Sequence, residues 1–208
     1  MRLGVIDVGN TRTKRAVLDA TGLRPFSGKA DFWIGVRVGK GAVPRGTLLL
    51  GRDFPPLVKN RALHPETVGA DRLAQASAAW GRTRGACVVV SMGTAITIDV
   101  VNARGEFVGG LIAPGLRLMA RALHDHTALL PEVEPVRTRN PVGRHTRAAI
   151  QAGISTAAEG LIRTALARSK GRVFGTGGDS PLFRDLFDHI APDLALEGVV
   201  RSYACWLR

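Results

Sequence analysis

The sequence predicts an α/β protein built from two similar halves, and three features carry that reading. Short apolar runs of strand character alternate with longer stretches of helical period. One hairpin-like stretch occurs twice: Val5-Ile6-Asp7-Val8-Gly9-Asn10-Thr11 lines up with Val89-Val90-Ser91-Met92-Gly93-Thr94-Ala95. Each copy runs from an apolar strand through a polar residue and a glycine to a second strand. The link Gly81-Arg82-Thr83-Arg84-Gly85 lies between the copies and sets the expected domains at 1–82 and 83–208. A weak repeat of this kind marks a duplicated domain. Such a duplication is expected to form a cleft between its halves, with both hairpin turns facing inward. With 208 residues the chain suffices for one large domain or two small ones with a real core.

The elements follow in order. Residues 3–8 and 13–19 read as two strands joined by a short turn. Residues 20–46 are rich in Gly, Lys and Arg and show no clear element, and residues 47–50 read as a third strand. A helix is expected over 71–80, where Leu73, Ala76 and Trp80 recur on one face. Three strands follow at 86–91, 95–101 and 106–112, then a helix after Pro114-Gly115 through about His124. A Pro- and Arg-rich loop spans 131–143 and a long helix 145–168, its apolar face running from Ala148 to Leu166. A short strand at 172–175, a helix at 181–190 and a last helix from about Gly198 complete the chain.

Composition narrows the function classes. Hydrophobic residues make up 45% of the chain, which argues against disorder. The longest apolar stretch, 86–101, is broken by Ser91, Thr94, Thr97 and Asp99, so no membrane span is expected. The N-terminus enters Val5-Ile6 without a signal-peptide pattern. Cys87 and Cys205 lie far apart and read as buried free thiols of a cytoplasmic protein. Net charge is +12, and 24 of the 29 cations are arginine, but they are spread along the chain. No helix-turn-helix, zinc-finger or aromatic RNA-binding pattern accompanies them, which argues against a nucleic-acid partner; such a surface would still attract a nucleoside triphosphate. His64, His124, His126 and His145 lack metal-ligand spacing, and Trp33, Trp80 and Trp206 suit core or interface packing. Gly153 and Gly160 would let the long helix pack closely, with a second copy as one candidate neighbour.

The first hairpin turn holds more chemistry than a turn needs. A glycine turn exposes backbone N–H groups that can form a concavity for anions. Asn10 and Thr11 add donors and Lys14 adds positive charge. Asp7 would repel a phosphate by itself, but not with Mg²⁺ between them. The stretch therefore fits one jaw of a Mg-triphosphate clamp, the plain alternative being a hairpin with a satisfied turn. Gly93-Thr94 would be the second jaw. No G-x-x-x-x-G-K-[ST] loop is present. Phe174-Gly175-Thr176-Gly177-Gly178-Asp179-Ser180 follows a strand, and its paired glycines would let a sugar or flat ring approach the backbone. In Val68-Gly69-Ala70-Asp71-Arg72 an acid stands at a helix start. Asp71 is either an N-cap or a base for an attacking hydroxyl, or both. Arg72 would hold an anionic group of the acceptor.

With these elements in order, the sequence resembles the type III pantothenate kinases of the sugar kinase and actin superfamily. The matching stretches are IDVGNT (6–11), GADR (69–72), MGTAITID (92–99), GGLIAPG (109–115), GRHTRAAIQAGI (143–154) and TGGDS (176–180). The resemblance implies two RNase H-like, actin-like ATPase domains with a nucleotide cleft between them. It implies ATP-dependent phosphorylation of the 4′-hydroxyl of pantothenate, the first step of coenzyme A synthesis, by a homodimer. Asp7, Val8, Gly9, Asn10, Thr11 and Lys14 match the first phosphate motif, Gly93 and Thr94 the second, and Gly177 and Gly178 the adenosine motif. Asp71 matches the family's general base, and Gly69, Ala70 and Arg72 stand with it on pantothenate. Thr146 matches a threonine that reaches pantothenate from the partner subunit. The resemblance also implies Mg²⁺ with ATP, held by way of Asp7, and a monovalent cation, K⁺ or NH₄⁺. The family's carboxylate for that cation is replaced here by Ser91, so a weakened cation dependence or low activity is expected; Asp99 is a candidate substitute ligand. The chain is shorter than typical members, and the shortfall is expected in residues 20–60. The remaining readings are another small-molecule kinase on this scaffold and a non-catalytic, transcription-related member of the Bvg accessory factor type.

Overall fold

The structure, a computed structural model, describes residues 2–208. Its strands are β1 (Leu3–Val8), β2 (Thr13–Asp19), β3 (Gly22–Pro25), β4 (Phe32–Arg37), β5 (Leu48–Leu49), β6 (Lys59–Asn60), β7 (Cys87–Met92), β8 (Ala95–Val101), β9 (Glu106–Pro114), β10 (Arg172–Thr176) and β11 (His189–Ile190). Its α-helices are α1 (Ala70–Thr83), α2 (Leu116–Asp125), α3 (Thr146–Ala167) and α4 (Leu194–Trp206). The chain forms two compact units. The first holds the chain up to Cys87 together with Asp99–Gly109 and Asp193–Arg208, and the second holds Val88–Ile98 and Gly110–Pro192. The sequence reading cuts the chain once, after Arg82; the units are discontinuous, because α4 returns from the C-terminus to pack on α1.

The first sheet has the order β3-β2-β1-β4-β5. β1 pairs antiparallel with β2 and parallel with β4. As the central strand it is apolar on both faces, and Val5, Ile6 and Val8 are fully buried. Gly4 is a contact position: a Cβ there would lie 2.5 Å from the Trp33 ring. The stretch 20–46, which shows no clear element in the sequence, contains β3 and β4. Parallel strands ordinarily need a crossover of a dozen or more residues, usually helical. Here residues 26–31 alone join β3 to β4. Phe26 and Ala30 pack that short segment onto Ile6, Val8 and Trp33.

α1 and α4 cover this unit. Gly198 lets them touch at the backbone, since a Cβ there would sit 1.7 Å from the Ala74 carbonyl oxygen. The Leu57 N–H donates to both Ser77 Oγ and Ser202 Oγ, at 3.1 and 3.0 Å. Gly198, read from the sequence as the start of the last helix, is thus an interior packing residue.

The second sheet has the order β11-β10-β7-β8-β9-β6. Read outward from β7, the run β9-β8-β7-β10-β11 repeats the order β3-β2-β1-β4-β5. The α/β class and the duplicated RNase H-like pattern are present. In the second unit Val90 and Met92 of β7 and Ile96 and Ile98 of β8 form one core with Leu116, Ile150, Ile154, Ile162 and Phe183. Two local expectations are corrected. Residues 181–190 are not one helix: a 3-10 helix covers Ser180–Leu186, with Phe183 outside helical angles, and β11 follows. Asp188 draws the chain into strand pairing, its N–H donating to Val173 O at 3.0 Å and its carboxylate accepting from Val173 N at 2.7 Å. Cys87 is buried, but Cys205 is exposed near the end of α4. Among the described residues no helix is long and apolar enough to cross a membrane.

Candidate active site

In the first unit β1 delivers Asp7, β2 delivers Lys14 opposite it in register, and the first turn of α1 delivers Asp71. Asp7 is half-buried at the end of β1. Burial first, then the negative charges of Asp71 and Asp193, push its carboxyl up to about 6, and Lys14 opposes the shift. Lys14 Nζ lies 3.2 Å from Asp193 Oδ1, just before α4. Three carboxylates thus share one neighbourhood in which Lys14 is the counter-charge that Asp7 feels.

The turn closes on itself. Gly9 N–H donates to Arg12 O at 3.0 Å, so this amide is not one left open to an anion. Val8 is buried, and its carbonyl accepts from both Val38 N and Gly39 N at 3.0 Å. Asn10 and Thr11 are exposed at the tip. Gly39 presses on the turn from below: a Cβ there would stand 2.1 Å from Gly9 O, so only glycine fits without displacing the turn.

Asp71 is not an N-cap. α1 begins at Ala70, its cap is Gly69, and no side chain caps it. Asp71 Oδ1 instead accepts from Arg72 N at 2.9 Å. Gly69 makes room for that carboxylate, because a Cβ there would come within 2.6 Å of Asp71 Oδ1. Burial raises the Asp71 pKa, against the lowering effect of two backbone N–H groups and the Arg72 charge. Arg72 points elsewhere. Its Nε donates to Asp99 Oδ1 at 2.9 Å, a terminal nitrogen donates to the same oxygen, and its guanidinium lies 5.5 Å from the centre of the Phe107 ring. Asp99 is fully buried and ion-paired, which does not suit the open cation ligand suggested for it from sequence.

In the second unit Gly93 and Thr94 are exposed at the β7–β8 turn, and Gly93 N–H closes that turn onto Ala95 O at 3.0 Å. Gly115 supports it, with N–H to Thr94 O at 2.9 Å and no room for a Cβ, which would lie 2.0 Å from Gly93 O. Gly177 has φ +87°, and a Cβ there would be 2.3 Å from Met92 O, the same carbonyl that accepts from Asp179 N at 3.1 Å. Gly178 is exposed with open space above it. Ser91 is half-buried on β7. Thr146 is exposed as the first residue of α3, after His145, whose ring nitrogen accepts from Ala148 N at 3.4 Å.

Sequence reasoning missed Gly39 and Asp193. The repeat itself could have found Gly39. Val8 aligns with Met92, β4 holds the place of β10, and Gly39 braces the end of β1 as Gly177 braces the end of β7. Asp193 stands one residue before an apolar helix, an N-cap signal hidden by starting that helix too late.

Among the described residues no group of three or more His, Cys, Asp or Glu is placed to hold a metal ion by itself. A cation carried in with phosphates is a different case. Asp7 is a carboxylate whose charged form is disfavoured by burial and two acidic neighbours, a donor that suits Mg²⁺ held mainly by phosphate oxygens.

The repeated sheet order of the two units defines a class: duplicated α/β proteins of the RNase H-like type. A family model described as type III pantothenate kinase matches residues 47–168. A type III pantothenate kinase of Dehalococcoides mccartyi (strain CBDB1) is 37% identical over 161 residues, covering 73% of this chain and 61% of that one. One of Ruegeria sp. (strain TM1040) is 42% identical over 146 residues, covering 66% and 56%. One of Acidiphilium cryptum (strain JF-5) is 31% identical over 94% of this chain and 91% of its own length. The chain belongs to the type III pantothenate kinase family. It spans about three-fifths of the length of the Dehalococcoides relative and nine-tenths of the Acidiphilium one. In fold it is similar to a crystal structure of a conserved Baf family protein from Campylobacter jejuni, with a TM-score of 0.72, 20% identity and 98% of both chains covered.

Proposed function

We propose that this chain is a cytoplasmic ATP-dependent kinase that phosphorylates the 4′-hydroxyl of pantothenate. The observation that carries this reading is the pair Asp71 and Asp7 in one half-buried, negatively biased neighbourhood with Lys14. Phosphoryl transfer needs positioned phosphates, neutralised charge and a base near the acceptor. Asp71 is the base. It accepts the hydroxyl proton as the oxygen attacks the γ-phosphorus, and burial makes its carboxylate more basic than a surface one. Lys14 exchanges Asp193 for phosphate oxygens, and Asn10 and Thr11 donate from the turn tip. Gly93 and Thr94 serve the phosphates and Gly177 and Gly178 the adenosine. Mg²⁺, when bound with ATP, neutralises phosphate charge, and Asp7 is the residue of this chain that would hold it, directly or through water. Gly69, Ala70 and Arg72 line pantothenate, with Arg72 using the terminal nitrogen that Asp99 leaves. Thr146 acts on the partner copy of a homodimer, and Ser91 weakens a K⁺ or NH₄⁺ site.

The test is ADP release with Mg-ATP, with and without pantothenate, in K⁺ and in Tris. Pantothenate-dependent release supports the reading, and a rise of less than about threefold in K⁺ supports the weakened cation site. No release with pantothenate, but release with another alcohol, would make this a kinase for a different acceptor. No release with any acceptor, together with salt-dependent DNA binding, would favour the accessory-factor reading.

A further inference from the structure

Arg72 follows the proposed base in sequence, but its side chain belongs to a different part of the unit. Its main-chain N–H holds Asp71 Oδ1 at 2.9 Å, and its guanidinium is drawn onto β8 by Asp99 and over Phe107 of β9. Asp99 has no exposed surface, and the Arg72 side chain is only 15% exposed. A buried pair of this sort is sensitive: removing one partner leaves a charge with neither water nor counter-ion.

We infer that Asp99 is a positioning residue for phosphoryl transfer: it anchors the Arg72 guanidinium against Phe107 and keeps that cation from closing on Asp71. The inference rests on the reading of Asp71 as the base. The charged groups around Asp71 are Asp7 of β1, with Lys14 and Asp193 beyond it, and Arg72 on its own helix, balanced by Asp99 of β8. Neutralising Asp99 leaves the Arg72 charge unbalanced and weakens the anchor of its side chain. Both effects favour the ionised form of Asp71 and make it a weaker base. One charge change at Asp99, which lies behind Arg72, should therefore act on the reacting proton.

Asp99→Asn is the direct variant, since the amide oxygen can still accept from Arg72 and the shape is kept. Asp99→Glu keeps the charge and is the control if the first variant folds poorly. The primary readout needs no turnover: carboxyl ¹³C NMR of Asp71, assigned by its loss in Asp71→Asn, followed against pH. Asp71 is expected to titrate at clearly lower pH in Asp99→Asn than in the wild type, and close to wild type in Asp99→Glu. In the assay, kcat should fall about tenfold or more in Asp99→Asn. Its acid limb should move to lower pH, while the KM for ATP stays within about twofold. An unchanged Asp71 titration in folded Asp99→Asn overturns the inference. So does a fall in kcat with the acid limb unmoved and both KM values altered, which marks a merely structural residue. Absence of wild-type turnover with pantothenate would instead count against the proposed function, and the NMR comparison would still decide the role of Asp99.

Discussion

At the end of β1 the chain carries Asp7 with Lys14 opposite; at the corresponding end of β7 it carries Ser91. The backbones of the two turns are otherwise handled alike. Each glycine amide closes its own turn, Gly9 onto Arg12 O and Gly93 onto Ala95 O. Each strand end is braced by a glycine after the fourth strand of its sheet, Gly39 in the first unit and Gly177 in the second. The duplication therefore preserved the backbone device and left the titratable chemistry in one copy. Geometry that presents a turn is a property of the fold. The charges gathered beside it are a property of one strand end and of the helix start next to it.

That comparison can be broken in several places. The largest effect belongs to Asp71. Asp71→Asn should lower kcat by about 10²- to 10⁴-fold with the KM for Mg-ATP changed only a few-fold, as read from steady-state kinetics. The braces come next. Gly39→Ala and Gly177→Ala each drive a Cβ into a backbone carbonyl, at 2.1 and 2.3 Å, so denaturant melts should show losses of roughly 2–4 kcal/mol. Gly178→Ala, with open space above it, should stay within about 0.5 kcal/mol. If Gly39→Ala proves neutral, the two braces are not equivalent.

Asp7 gives the next effect, and its sign is opposite for stability and activity. The folded carboxyl sits at about 6 against an ordinary 3.8, so folding binds protons between those values. The contribution is full below pH 4 and is lost as pH rises through 6. Asp7→Asn should therefore stabilise the ligand-free protein by roughly 1–3 kcal/mol at pH 7.5, with most of that gain gone at pH 4, while turnover collapses. Equal melts for both proteins at pH 7.5 would show that the acidic neighbours do not strain Asp7. The smallest effect is Ser91→Asp, which restores a carboxylate to the second copy. It should raise the response to K⁺ several-fold while leaving turnover in Tris near wild type.

The fold was legible where pattern and burial coincide. β1 and β2 end where expected, and the apolar runs of β1, β7 and β8 and the face of α3 declare themselves. β3 and β4 did not, because a four-residue strand with no buried side chain and a glycine-containing strand sit among Gly, Lys and Arg. The candidate site was legible as motifs, with Asp7, Lys14 and Asp71 brought together as their spacing around strand and helix starts suggests. Its second layer was not. Nothing in a linear sequence pairs Asp99 with Arg72, 27 residues apart, and the same aspartate reads equally well as a cation ligand until burial shows it occupied.

The measurement that tests the central claim most directly is the formation of phosphorylated pantothenate by wild type and Asp71→Asn at matched nucleotide occupancy, with bound Mg-ATP measured by calorimetry. The account predicts product with the wild type and at least a ~100-fold slower rate in the variant, with nucleotide binding retained. Phosphorylated pantothenate formed at near wild-type rate by Asp71→Asn would contradict it.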